Sequence, residues 1–216
     1  EKSPLPLREF GEYQRRGRAA LSGYYDAYRA HFVRDTLNEF EITGVFLRFD
    51  LESGNPPAGE AGRSNLGRQL LLRGKLDKIE RNRDGTVTVI DYKTGRPKSR
   101  AEILGETKSS VGNLKRQLDF YKLLLSLSAR SGEARQGLTL SVSSRFNLKS
   151  GKRLNLGEMT IGVIDFIEPD AKGKYHREAF EITDADVAAL TEEVQRVGKE
   201  IYDFKFWDTK CGDRTC

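Results

Sequence analysis

From Leu7 to about Phe32, apolar and aromatic positions recur every three or four residues among polar ones. Leu21, Tyr24, Tyr25, Tyr28 and Phe32 carry that spacing, which predicts one long amphipathic helix. The period then drops to two: FEITGVFLRFDLE (40–52) alternates and is rich in β-branched and aromatic residues, so a strand is expected. SGNPPAGEAGRSN (53–65) concentrates Gly, Pro and Ser and reads as a loop or surface insertion.

The centre of the chain holds two further strand patterns, LLRGKLDKIE (71–80) and TVTVIDYKTG (86–95), joined by the polar RNRDG, which predicts a β-hairpin. KSRAEILGETKSSVGN reads as a polar connection. NLKRQLDFYKLLLSLSA follows with Leu114, Leu118, Tyr121 and Leu125 on one stripe, predicting a helix that covers one sheet face. GLTLSVSSRFNL and EMTIGVIDFIE supply further strands, with KSGKRLN and PDAKGK as turns. A last helix, capped by Asp184 or Thr183, keeps a helical period through Val187, Leu190, Val194, Val197 and Ile201 as far as the Phe204–Trp207 cluster.

The expected organisation is a single domain over residues 1–216. It comprises a helical region 1–36, a sheet core 37–180 containing a helix at 113–130, a C-terminal helix 184–203 and a tail 204–216. The opening EKSPLP and the abrupt end at Cys216 suggest a piece of a larger chain. With 37% hydrophobic and 32% charged residues, and no apolar run long enough to cross a bilayer, the composition fits a soluble globular chain with a charge-rich surface better than a membrane-embedded or disordered one. A net charge of +5 permits a polyanionic partner. Two cysteines, both in the last six residues, form no disulfide framework, so a reducing cytoplasm is the expected compartment.

The hairpin is where candidate chemistry concentrates. In the second strand Val87, Val89, Asp91 and Lys93 share a face, so an apolar row ends in a carboxylate and an ammonium. Charges at the end of a buried row cost several kcal/mol unless paired or bound to a cation. Asp77 on the partner strand is the available companion, and the turn decides whether it meets Asp91. A two-residue Asp84-Gly85 loop pairs Asp77 with Tyr92 and puts the carboxylates on opposite faces. A three-residue loop, Arg83 to Gly85 with Gly85 left-handed, pairs Asp77 with Asp91, close enough for both to hold one divalent ion. The three-residue loop, or an equivalent bulge, is therefore expected.

These residues also resemble a family. GKLDKI and DYKTG look like the Gly-x-x-Asp and Asp-x-Lys motifs of the PD-(D/E)xK nuclease superfamily, RecB branch, and QLDFY (117–121) resembles that branch's Gln-x-x-x-Tyr helix. DFIEP, FEITDADV and IYDFKFW resemble nuclease domains appended to UvrD-like helicases, so the resemblance spans roughly residues 39–207. It implies an α/β domain of restriction-endonuclease-like architecture, a mixed central sheet flanked by helices. It also implies phosphodiester hydrolysis of DNA, with Asp77, Asp91 and the Tyr92 carbonyl holding Mg²⁺ or Mn²⁺ and Lys93 positioning the attacking water or stabilising developing charge. An upstream acid completes the implied catalytic set; Glu39 is the candidate and Glu41, of the same strand parity, the alternative. Gln117 and Tyr121, on one helical face, are the implied DNA-contacting or supporting pair.

The implied setting is a bacterial, nucleoid-associated repair or recombination helicase, whose motor domains are the expected partners, because no Walker-type phosphate loop occurs in these residues. AddB-type relatives close an iron–sulfur cluster with C-terminal cysteines and one distant N-terminal cysteine. Cys211 and Cys216 are the only cysteines here, so no complete cluster is expected from these residues. His31 and His176 have no partner at ligand spacing and are expected to be structural or exposed. The reading from a different class is a catalytically silent nuclease fold that binds DNA or serves as a scaffold; a stand-alone restriction or repair endonuclease is a further alternative.

Overall fold

The computed structural model describes residues 6–49, 68–131, 139–142, 156–205 and 207. Along the chain run α1 (Leu7–Tyr28), a 3₁₀ turn (Arg29–His31), β1 (Thr36–Phe49), β2 (Arg68–Arg81), β3 (Val87–Lys93), α2 (Arg100–Leu104), α3 (Asn113–Ser131), β4 (Thr139–Val142), β5 (Met159–Phe166), β6 (His176–Glu181) and α4 (Asp184–Tyr202). The strands form one mixed sheet in the order β4-β1-β2-β3-β5-β6. Its β3–β5 pair is parallel and the other four are antiparallel. The implied mixed central sheet flanked by helices is the architecture observed.

One face of the sheet is dry. Leu118, Tyr121, Leu124 and Leu125 of α3 pack there against Val87 and Val89 of β3 and Ile164 of β5. Burying a side chain such as Leu118, which is fully inaccessible, contributes about 1.5–3 kcal/mol. The helix comes so close to β2 that a Cβ on Gly74 would lie 2.4 Å from Leu124 Cδ1, so a glycine in this strand marks a close approach of the helix. On the other face Tyr24 of α1 meets Tyr92 of β3 and Asp165 of β5. α4 packs on α3 and reaches the far end of β1, where Gln195 donates to the Arg48 carbonyl at 2.6 Å.

Thr183 caps α4, accepting from the Asp186 N–H while the Asp186 carboxylate accepts from the Thr183 N–H, which settles the choice against Asp184. Two elements differ from the sequence reading. The stretch read as a polar connection contains α2, a five-residue helix closed by a Ser99–Glu102 capping box and a left-handed Gly105. β6 carries charges on most positions and lies at the sheet edge, where one side of the ladder faces water and charged residues are tolerated.

β1 departs from simple alternation. Leu37 and Phe40 are three residues apart yet both belong to the α3-facing core, as do their partners Ile79 and Leu76 on β2. Glu39 sits between them at φ 53°; a left-handed residue resets the strand's parity without losing its register. Asp50 to Glu52 of the first strand reading, the 53–65 loop, the KSGKRLN turn and Cys211 and Cys216 lie outside the described residues. So do the parts of GLTLSVSSRFNL beyond β4. Among the described residues no helix is long and apolar enough to cross a membrane.

Candidate active site

The β2–β3 turn sets the geometry. Gly85, at φ 86°, donates to the Asn82 carbonyl at 3.1 Å, and Asn82 N–H donates to the Thr86 carbonyl at 2.9 Å. Asp84 accepts from both the Thr86 hydroxyl at 2.7 Å and its N–H at 2.9 Å, contacts that hold the Asp84 carboxyl below the usual carboxylate range. Residues 83–85 therefore make the three-residue loop, and the ladder runs Arg81 to Val87, Glu80 to Thr88, Ile79 to Val89 and Lys78 to Ile90. The ladder ends at Lys78 and Ile90; one residue on, Asp77 accepts the Tyr92 N–H and lies near enough to Asp91 for that charge to act on it, as the longer loop leads one to expect.

Asp91 is 2% exposed, at the end of the buried Val87–Val89 row. Its Oδ1 accepts from Gln117 Nε2 at 2.8 Å and from the Tyr121 hydroxyl at 2.9 Å. Its Oδ2 lies 2.6 Å from Lys93 Nζ, yet that oxygen has no hydrogen bond of acceptable direction. The two observations agree if the ammonium neutralises the carboxylate by proximity without aiming a proton at Oδ2. Asp77 is turned differently, accepting the Tyr92 N–H on Oδ2 at 2.9 Å. Burial raises the Asp77 carboxyl above its ordinary range. The Tyr92 N–H opposes that shift, neighbouring Asp91 and Glu39 add to it, and Lys93 opposes it.

α3 brings Gln117 and Tyr121 together one turn apart. The Gln117 amide is used at both ends: Nε2 donates to Asp91 and to Tyr121 Oη at 2.6 Å, while Oε1 accepts from Lys93 Nζ at 2.8 Å. One side chain thus holds the carboxylate and the ammonium of the Asp-x-Lys strand in fixed relation. Burial, and then the adjacent Asp91 charge, push the Tyr121 phenol well above its ordinary range, so it stays protonated and donates. Glu39 is half-exposed and ion-paired with Lys75. Its charge helps raise the Asp77 carboxyl, and Glu41 acts on the neighbouring Lys75. His31 is exposed, and His176 pairs with Asp170 at 2.8 Å in the β5–β6 connection, so both fit the structural reading.

A divalent cation fits the donor set. Asp77 and Asp91 would offer it hard oxygen atoms, and Asp91 Oδ2 is buried and lacks a directed partner. Among the described residues no three His, Cys, Asp or Glu side chains converge to hold a metal. Two carboxylates match Mg²⁺, which is usually held by one or two carboxylates with waters and substrate phosphates completing the shell.

Sequence reasoning missed the reverse side of this strand. Asp165, 1% exposed and paired across the ladder with Tyr92, accepts the Tyr24 hydroxyl at 2.6 Å. Glu168 accepts the Gly95 N–H at 3.1 Å and is ion-paired with Arg16 of α1. The signal was a single carboxylate inside the apolar run GVIDFI, where an uncompensated charge is costly.

No curated protein matches the chain. A solved structure, that of SSO0001, aligns over 88% of this chain and 69% of its own length, at 16% identity and a TM-score of 0.39. The sequence model of the PD-(D/E)XK nuclease superfamily matches residues 2–216. On that match across nearly its whole length, and with a mixed sheet flanked by helices, the chain belongs to the PD-(D/E)XK nuclease superfamily.

Proposed function

We propose that this chain hydrolyses DNA phosphodiester bonds with Mg²⁺ or Mn²⁺, as the C-terminal nuclease domain of a RecB-like, UvrD-type repair or recombination helicase. The observation that carries the reading is that Asp91 and Lys93 are in contact and both act electrostatically on Asp77, the buried Asp91 Oδ2 being left without a directed hydrogen bond. Asp77 and Asp91 hold the cation, with the Tyr92 carbonyl as a further oxygen. When bound, the metal supplies charge neutralisation at the phosphoryl group and acidifies water.

The chain's own residues do the positioning. Gln117 keeps Lys93 beside the carboxylates, where its ammonium stabilises negative charge growing on the phosphoryl oxygens as water adds and one P–O bond breaks. The protonated Tyr121 keeps Asp91 aimed, and Glu39 is the additional acid once it leaves Lys75. A net charge of +5 favours a polyanionic substrate. The helicase setting is supported by the likeness of DFIEP, FEITDADV and IYDFKFW to helicase-appended nuclease domains. It is tested by whether the gene continues upstream into motor motifs.

The direct test is cleavage of end-labelled single- and double-stranded DNA with Mg²⁺ or Mn²⁺, comparing the protein with Asp91→Ala and Lys93→Ala. Metal-dependent cutting that disappears in both variants is expected. Cutting that survives both substitutions removes the site assignment. A protein that binds DNA but never cuts or binds metal is the silent scaffold instead.

A further inference from the structure

On the nuclease reading above, we propose that Tyr24 is a positioning residue: its bond to Asp165 ties α1 to the reverse face of the sheet and sets the placement of the metal-holding strand through Tyr92. Tyr92 links the two faces of that strand. Its N–H holds Asp77, its chain neighbours are Asp91 and Lys93, and its ring points to the opposite side. There it meets the Tyr24 ring edge-on, with centroids 6.3 Å apart and planes at 84°.

Tyr24 is fixed by more than this contact. It is 8% exposed, and its hydroxyl donates to Asp165, the residue paired with Tyr92 on β5. Asp165 has little other support. Oδ1 has no partner, and Arg177 Nε approaches Oδ2 only to 3.8 Å. An apolar pair at this spot would bury the same surface without leaving a carboxylate oxygen unsatisfied. What the polar pair adds is direction: a 2.6 Å bond anchors Tyr24 of α1 to one carboxylate of β5, the residue paired with Tyr92. A second tie acts on the same strand from beyond its end, because Arg16 of α1 pairs with Glu168, which holds the Gly95 N–H two residues past Lys93.

Metal binding to DNA-free protein is the readout, measured as Mn²⁺ affinity by electron paramagnetic resonance beside the melting temperature. Tyr24→Phe keeps the ring and removes only the bond to Asp165. Partners of metal ligands typically change affinity 10- to 100-fold; one step further out, a weakening of about 3- to 10-fold is expected. Tyr175→Phe removes a different tie on α1, its 2.9 Å bond to the Ala20 carbonyl, and is expected to leave Mn²⁺ affinity within about twofold of the parent protein, the non-additivity of close sites allowing for the rest. Tyr92→Leu deletes the ring that carries the effect. It should weaken Mn²⁺ binding on its own, and combined with Tyr24→Phe it should add little further, since coupled sites are non-additive.

Tyr24→Phe or Tyr92→Leu with parental Mn²⁺ affinity overturns the proposal, even if melting falls. Equal weakening by Tyr175→Phe overturns it too, because any loosening of α1 would then suffice. If Tyr24→Phe does not fold, the Tyr92→Leu result alone decides. A parent protein that neither binds Mn²⁺ nor cuts DNA fails at the nuclease reading; one that does both while the variants match it fails only here.

Discussion

Lys93→Met isolates what the ammonium contributes before any metal arrives. The substitution keeps the apolar stem and removes the charge that sits 2.6 Å from the buried Asp91 Oδ2. Breaking a fully buried ion pair costs about 3–5 kcal/mol. Here the lysine side chain is 26% exposed and water partly replaces it, while Asp91 keeps its bonds from Gln117 and Tyr121. The residual loss, the ammonium's charge beside Asp91 together with its hydrogen bond to Gln117 Oε1, is about 2 kcal/mol. For a chain of 216 residues that corresponds to a melting temperature lower by about 4–8 °C. The assay is urea unfolding in EDTA, repeated in an Asp91→Asn background, where only the bond to Gln117 remains and the lysine should matter less. Lys93→Met within about 0.5 kcal/mol of the parent, or an equal loss in both backgrounds, would refute the reasoning.

Asp77→Asn should make the metal-free protein more stable at neutral pH. Burial, with Asp91 and Glu39 alongside, raises the folded-state pKa of Asp77 against the pull of the Tyr92 N–H and Lys93. The folded chain therefore binds that proton more tightly than the unfolded one. The stabilising contribution is present below the unfolded value of about 4 and is lost as pH rises through the folded value. Melting in EDTA across this window should show the variant's advantage closing on acidification; an advantage that widens would contradict the assignment. Gly74→Ala should cost about 1–3 kcal/mol in urea unfolding, because its Cβ enters the space of the fully buried Leu124, and an unchanged midpoint would mean α3 lies farther from β2 than described.

Where local rules govern, the chain was legible. Gly85 and the polar RNRDG stretch specify the three-residue loop, and from that loop the facing of Asp77 and Asp91 follows. The α3 stripe of Leu118, Tyr121 and Leu125 was readable because its packing face is its periodicity. α2 went unread although Ser99, Glu102 and Gly105 announce both its ends, because five residues show too little periodicity to outweigh polar surroundings. β6 was hidden by its edge position, where burial imposes no alternation. The role of Glu39 lay beyond parity arguments for a deeper reason. Its left-handed backbone shifts the phase of β1, and a pattern of period two carries no record of where its phase will change. The Tyr24–Asp165 bond joins residues 141 positions apart, and only the assembled sheet brings them together.

The lone parallel pair in the sheet has a consequence for the order in which the site comes into being. Asp77 and the Tyr92 amide are 15 residues apart and meet through a tight hairpin, a short loop whose closure is entropically cheap. Gln117 and Tyr121 reach Asp91 only after the chain has begun the long crossover from β3 to β5 and docked α3. Loop-closure entropy alone therefore predicts that the hairpin carboxylates meet while still hydrated and that their dehydration follows with docking of the helix. On that order, changes in the hairpin are expected to slow folding and changes at Gln117 mainly to speed unfolding, which stopped-flow urea chevrons of the two variants would check.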